Sequence, residues 1–474
     1  MKIQDGPIIA IQDSRGRSVR SSVQENLSLW LKQHLIVASL IVISCSLGVR
    51  LFMTLRSDQP ALIKENADAA TYLVPAQNLL EEGAFVNIFN QPEITRTPGY
   101  PTFLATLMLV VGQDSRKVFI AQAFILSFEV LVLYWLARRI LPSLTALVAG
   151  LLAAFSPWGA VLAGFPLPEG LFLLLLVLIF FTMKITTEAN NRLVIAVGGA
   201  CTGSLTAAAV LVRPIWPLVF LIAVAFFALY GPKRKGVWLL LSTTLTFAAA
   251  PILLWKGRNH AVSEFNGLSD IAGQCASQML AQRVTAHVNG QDRWALMKSA
   301  KLEERNWKMS IPRQDQERWQ RAGAVFREHP MLSSYYFLLS GAETAIHPSP
   351  YVLSPGKLNF YGDYWVLASV WGGLLVLACL GWHYSAAAEL QNGTTARNWL
   401  AAVVVVCLLL TFSSGLCFGA GSRYRVPLEL LVPMLAAAGL SRIVFCRALS
   451  EQTETQRTSP IPASRTSLSK PSCN

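Results

Sequence analysis

Long apolar runs recur at roughly 34–55, 118–137, 143–163, 168–185, 193–211, 214–230, 237–255, 363–384, 398–417 and 426–446. About 20 apolar residues in a helix cross a hydrocarbon core about 30 Å thick. Backbone polar groups at that depth must be satisfied within the elements that carry them. A chain patterned this way is therefore an all-α membrane protein, a multi-span helical bundle of about ten spans. Of its 474 residues, 53% are hydrophobic and only 14% charged, with a mean hydropathy of +0.43. Soluble domains carry about 25% charge, so soluble enzymes, disordered chains and disulfide-stapled secreted modules are excluded.

The net charge of +13 does not point to nucleic acid, because the cations cluster at the ends of apolar runs, where they set orientation and meet anionic headgroups. An eleventh run, 99–111, offers about a dozen residues, roughly 18 Å of helix, and suits an outer juxtamembrane helix. With the tail 1–33 (Lys2, Arg15, Arg17, Arg20, Lys32) in the cytosol and 99–111 not crossing, Arg138–Arg139, Lys184, Arg192, Lys233–Arg234–Lys235 and Arg397 all fall inside. If 99–111 crosses, the bias reverses. Both termini are thus expected to be cytosolic, with the first run a retained signal-anchor. Residues 34–256 form an N-terminal membrane module with a first outer loop at 56–98. Residues 257–362 form a large, mainly helical extracytoplasmic segment, 363–446 the last spans, and 447–474 a disordered tail. The eight cysteines show no metal-type spacing and lie mostly inside apolar runs, so they indicate neither a disulfide framework nor a redox compartment.

The first outer loop, ENADAATYLVPAQNLLEEGAFVNIFNQPEITRTPGYPTFLA, is the most informative stretch. Its apolar residues from Ala69 to Leu80 recur at helical spacing and Gly83 suits a C-terminal cap, although Pro75 predicts a kink or two short helices. Asp68 is either a helix N-cap or a carboxylate placed to accept the proton of an attacking hydroxyl or amine. Arg96 either snorkels to the headgroups or holds a lipid phosphate. Arg423 and Arg425, at the lip of the last span, are costly to bury unless an anion meets them. Glu169 opens a span and either favours its dipole or contacts substrate. Arg213 either anchors a helix end or binds phosphate. Tyr72 packs or touches sugar, and His329 caps or packs. Glu129 is the main mid-span ionisable residue and reads as a hydrogen-bonded structural group.

Asp68 followed by Tyr72, a helix, a glycine and RTPGYPTFLA closely resembles the start of polytopic GT-C glycosyltransferases. The nearest group is the dolichyl-phosphate-mannose protein mannosyltransferase-like and aminoarabinose-transferase-like enzymes. AAFSPWGAVLAG with FPLPEGLFLLLL, then LVRPIWP, REHP and GSRYRVPLELLVPMLAAAGL, resemble further blocks of that family in order, covering most of residues 34–446. The resemblance implies an inverting transfer of a sugar from a polyprenyl-phosphate donor to a lipid, glycan or protein acceptor on the outer face. It makes Asp68 and Glu169 the catalytic candidates and Arg96, Arg213, Arg423 and Arg425 the donor-phosphate ligands. Tyr72 and Tyr424 are the candidate substrate contacts. Arginine forks match phosphate oxygens bidentately and strengthen in a low-dielectric site. The resemblance also favours a bacterial inner membrane.

No Asp-x-Asp pair stands near Asp68 and Glu65 is its only close acidic neighbour upstream, so no metal or other cofactor is firmly implied. The absence of P-loop and dinucleotide fingerprints speaks against ATP-driven transport and nucleotide-sugar donors. Two alternatives stay open. An O-antigen ligase or polymerase would rely on arginines and a histidine in the late loop, and a lipid or solute transporter would carry mid-span charges or inverted repeats.

Overall fold

The computed structural model describes residues 29–31, 33–57, 63–64, 67–214, 236–305, 308–346, 364–385, 393–416 and 425–458. Each apolar run within them is helical, and no strand forms there beyond an isolated bridge between Val86 and Pro92. The N-terminal module comprises α1 (Leu35–Arg56), α2 (Ala67–Glu81), α3 (Gly99–Val111), α4 (Ser115–Arg138), α5 (Ser143–Ala154), α6 (Pro157–Ala163), α7 (Glu169–Glu188), α8 (Arg192–Val212) and α9 (Val237–Ser263). The run at 214–230 lies, apart from Pro214, outside the described residues.

Six of the described helices are long and apolar enough to cross a membrane, or seven with the bent pair α5–α6. The chain is an integral, multi-pass membrane protein. The 143–163 run, read as one span, is instead broken, with α6 turned by 50° from α5. Pro157 opens α6; it has no N–H to donate and disfavours helical backbone at Ser156 before it. Pro75 has the opposite outcome. A single helix, α2, runs through it rather than splitting in two. The Pro75 ring is buried and α2 packs on α3, so tertiary packing outweighs the local cost of the ring. Gly83, with φ +67°, follows the end of α2, a conformation that glycine adopts without a Cβ penalty.

α3 keeps the short length read from the sequence. It buries Tyr100, Leu104, Leu107 and Met108 and leaves Leu109 and Val110 exposed, as a helix between protein and lipid should. Its first residue, Gly99, abuts α8; a Cβ there would stand 2.7 Å from the Leu211 backbone.

The polar segment after α9 continues as α10 (Ile271–Cys275), a π-helical turn (Ala276–Ala281), α11 (Gln282–Asn289), α12 (Arg293–Arg305), α13 (Ile311–Glu328) and α14 (Pro330–Ile346). His329 is the C-cap of α13. The chain closes with α15 (Tyr364–Ser385), α16 (Gly393–Ser413) and α17 (Val426–Thr458). α17 extends beyond 446, so the first part of the segment read as a disordered tail is helical. Main packing contacts join α8 with α9 and α7, α15 with α17, α1 with α4 and α5, α4 with α5 and α7, and α17 with α5.

Candidate active site

The first turn of α2 presents Asp68, Thr71 and Tyr72 on one face, because residues three and four apart are neighbours on a helix. The loop after α2 folds back through backbone bonds from Glu93 to Phe85 and from Asn87 to Gln91. That return delivers Arg96 onto the same helical face. Its Nη2 lies 2.7 Å from Asp68 Oδ1, its Nε donates to Thr71 Oγ1 at 3.0 Å, and its guanidinium stands 4.6 Å over the Tyr72 ring. α2 begins at Ala67, so Asp68 stands inside its first turn rather than at the N-cap, with its side chain on Arg96. The Arg96 side chain is 13% exposed and that of Asp68 28%, so the pair sits at a partly wet edge.

Behind it, Tyr72 meets Tyr100 edge-on at 5.3 Å. The Tyr100 hydroxyl, fully buried, donates to Gln122 Oε1 at 2.9 Å. Gln122 Nε2 in turn donates to the carbonyls of Ala163 and Phe165 at 2.9 and 2.8 Å, which fixes the loop between α6 and α7. That loop leads to Glu169, buried at the start of α7, where Arg213 Nη1 lies 3.4 Å from Glu169 Oε1 and the guanidinium carbon stands 5.8 Å over the Phe172 ring. Glu169 and Tyr72 are both electrostatic neighbours of the Tyr100 hydroxyl. The structure thus links Asp68, Arg96, Tyr72, Glu169 and Arg213 through Tyr100 and Gln122, two residues the sequence did not mark.

Arg425 occupies a second charged centre. It is 2% exposed and stacks between Trp158 and Trp371 at 4.5 and 4.0 Å. Its Nε donates to Glu429 Oε1 at 3.2 Å, while Glu429 Oε2 accepts from Ser156 Oγ at 2.6 Å. Arg423 and Tyr424 lie outside the described residues. Near Arg425 is an ion pair inside the bundle, Arg50 Nη2 to Glu129 Oε2 at 2.7 Å, with Arg50 also donating to the Leu126 carbonyl. Gly159 of α6 leaves the space that the Arg50 guanidinium fills. Glu129 was visible in the sequence; its partner Arg50 was overlooked, although opposite charges in two apolar runs are themselves a signal, since membrane-buried charges pair.

In the loop between α2 and α3, Glu93 Oε1 accepts the Arg96 backbone N–H at 2.8 Å, and burial raises the Glu93 pKa above the usual glutamate value, against the pull of Arg96. Among the described residues, no group of three or more His, Cys, Asp or Glu side chains could hold a metal ion.

No family model matches the sequence, and no curated protein matches it. Solved structures do. The oligosaccharyltransferase of Archaeoglobus fulgidus tethered to an acceptor peptide matches over 91% of this chain at 13% identity with a TM-score of 0.55. Its apo form matches over 92% at 15% identity with a TM-score of 0.52. The chain spans about half the length of these archaeal enzymes, covering 52% and 53% of them. ArnT from Cupriavidus metallidurans bound to undecaprenyl phosphate aligns over 91% of this chain and 81% of its own at 14% identity, but its TM-score of 0.36 is too low to bear on the fold. The chain shares the fold of the matched part of these archaeal oligosaccharyltransferases.

Proposed function

We propose that the chain is an inverting glycosyltransferase that moves a sugar from a polyprenyl-phosphate donor to an acceptor on the extracytoplasmic face, in a bacterial inner membrane with both termini cytosolic. The observation that carries this reading is the Asp68–Arg96 pair on the Tyr72 face of α2, linked to Glu169 and Arg213. A carboxylate and a guanidinium side by side at a partly wet edge suit a base beside a phosphate ligand, and the shared fold supports the same general reaction.

In the proposed reaction the acceptor hydroxyl or amine attacks the anomeric carbon as the bond from that carbon to the phosphate oxygen breaks. The bonding electrons leave with the lipid phosphate and the acceptor proton passes to Asp68. The donor phosphate competes with Asp68 for the Arg96 fork, which matches either anion. As the phosphate takes the guanidinium, the Asp68 carboxylate turns to the acceptor. Arg213, held by Glu169, is the second phosphate ligand on this side, with Arg423 and Arg425 as further candidates. Tyr72 supports Arg96 from beneath.

The test is to incubate the purified protein with a panel of polyprenyl-phosphate sugars and follow loss of the lipid donor by mass spectrometry. Consumption of at least one donor, with release of polyprenyl phosphate, is expected. A panel left intact while reconstituted vesicles translocate labelled lipid would replace this reading with transport.

A further inference from the structure

α9 runs past its apolar run into the outer region, and there Arg258 grips the first outer loop. Its Nη1 donates to the Glu93 carbonyl at 2.7 Å and its Nη2 to the Phe85 carbonyl at 2.9 Å. These two residues lie on opposite arms of the loop and are joined to each other by the Glu93 N–H to Phe85 bond. The guanidinium is seated on the rings of Trp255 and Phe85, 4.9 and 5.6 Å from their centres. Three residues beyond Glu93 stands Arg96, whose backbone N–H is held by the Glu93 carboxylate. A second tie comes from the same side. Asn259 binds the carbonyls of Gly267 and Leu268, and the neighbouring Ser269 hydroxyl donates to the Thr95 carbonyl.

We propose that Arg258 is a positioning residue for the Asp68–Arg96 pair: by forking onto both arms of the loop it fixes where Arg96 is delivered. The proposal rests on the reading of Arg96 as a ligand of the lipid phosphate. A planar guanidinium offers a separate nitrogen in a fixed direction to each carbonyl while its face lies on the rings, a combination that the single nitrogen of a lysine ammonium does not reproduce. Displacements of about 1 Å far from the reacting atoms can cost up to about 100-fold.

The test is a double-mutant cycle on the full-length protein in detergent, with undecaprenyl phosphate as the probe and affinity read by calorimetry. The proteins are wild type, Arg96→Ala, Arg258→Met, Arg258→Lys and the Arg96→Ala/Arg258→Met double. Arg258→Met is expected to weaken binding about tenfold when Arg96 is present and less than about twofold when it is not, because groups acting through one another are non-additive. Arg258→Lys should resemble Arg258→Met. Equal losses in both backgrounds, wild-type affinity of Arg258→Met, or full rescue by lysine would overturn the proposal. Absence of binding by the wild type, or wild-type affinity of Arg96→Ala, would instead remove the underlying reading of Arg96. Should Arg258→Met fail to fold, Ser269→Ala carries the same cycle through Thr95, with the same non-additivity expected and additivity overturning the idea.

Discussion

Arg96 does three things at once: it binds a carboxylate, it donates to a hydroxyl and it lies over an aromatic ring. A lysine could keep the charge but not the fork and the stacking together, so Arg96→Lys should bind polyprenyl phosphate more weakly than wild type; an unchanged affinity in a titration would show that charge alone suffices. Tyr100 carries a separate prediction. Tyr100→Phe removes the donor to Gln122 Oε1, fully buried at the junction of both outer loops. Leaving such an acceptor unpaired costs about 1–3 kcal/mol, so the melting temperature in detergent should fall, and an unaltered melt would mean that the junction relaxes. Asp68 and Arg96 were each visible in the sequence as charged residues beside apolar segments. Their pairing was not, because it depends on how the loop between them closes. Tyr100, Gln122 and Arg258 gave no signal, since a buried hydroxyl or a carbonyl-binding arginine acquires its meaning only from distant backbone.

Helical elements were the most legible level. Hydropathy located α3 and the long helices because lipid imposes a length and forbids unpaired backbone. Proline was ambiguous for a physical reason. Its local penalty is the same at 75 and 157, but α2 has α3 to pack against, whereas the break before Pro157 frees Ser156 to bind Glu429. Two predictions belong here. Removing one partner of a buried ion pair strands the other charge at a cost of about 3–5 kcal/mol, whereas replacing both is close to neutral. Arg50→Met should therefore destabilise strongly and Arg50→Met/Glu129→Met should recover most of the loss in thermal unfolding; equal destabilisation by both would make the pair something other than a structural pin. The α3–α8 contact is equally specific. Gly99→Val would force side-chain atoms into the Leu211 backbone and should cost about 1–3 kcal/mol by overpacking, which a wild-type melting curve would contradict.

At the scale of the whole molecule, the polar segment α10–α14 is where sequence was least informative, because its helices are held by buried polar clusters rather than by hydropathy. Arg318 there binds Asp270 and Glu304, each at 2.7 Å. Beside them Asp315 has its pKa pushed up to about 6 by burial and by Asp270, against the pull of Arg318. A carboxylic acid raised in the folded state contributes stability at low pH that is lost as pH rises through the folded value. Asp315→Asn should therefore raise the melting temperature above about pH 6 and change little near pH 4; a lower melt at pH 8 would reverse that sign. The bundle as a whole could be read from apolar runs, but the meeting of the two loops through Tyr100 and Gln122 needed the fold. The central claim is that Asp68 takes the acceptor proton while Arg96 meets the donor phosphate. It is tested most directly by comparing wild type and Asp68→Asn, first for sugar transfer from a consumed donor and then for undecaprenyl-phosphate affinity. The account predicts transfer reduced by about 100-fold or more, the scale of a lost general base, with lipid-phosphate binding retained; undiminished transfer by Asp68→Asn would contradict it.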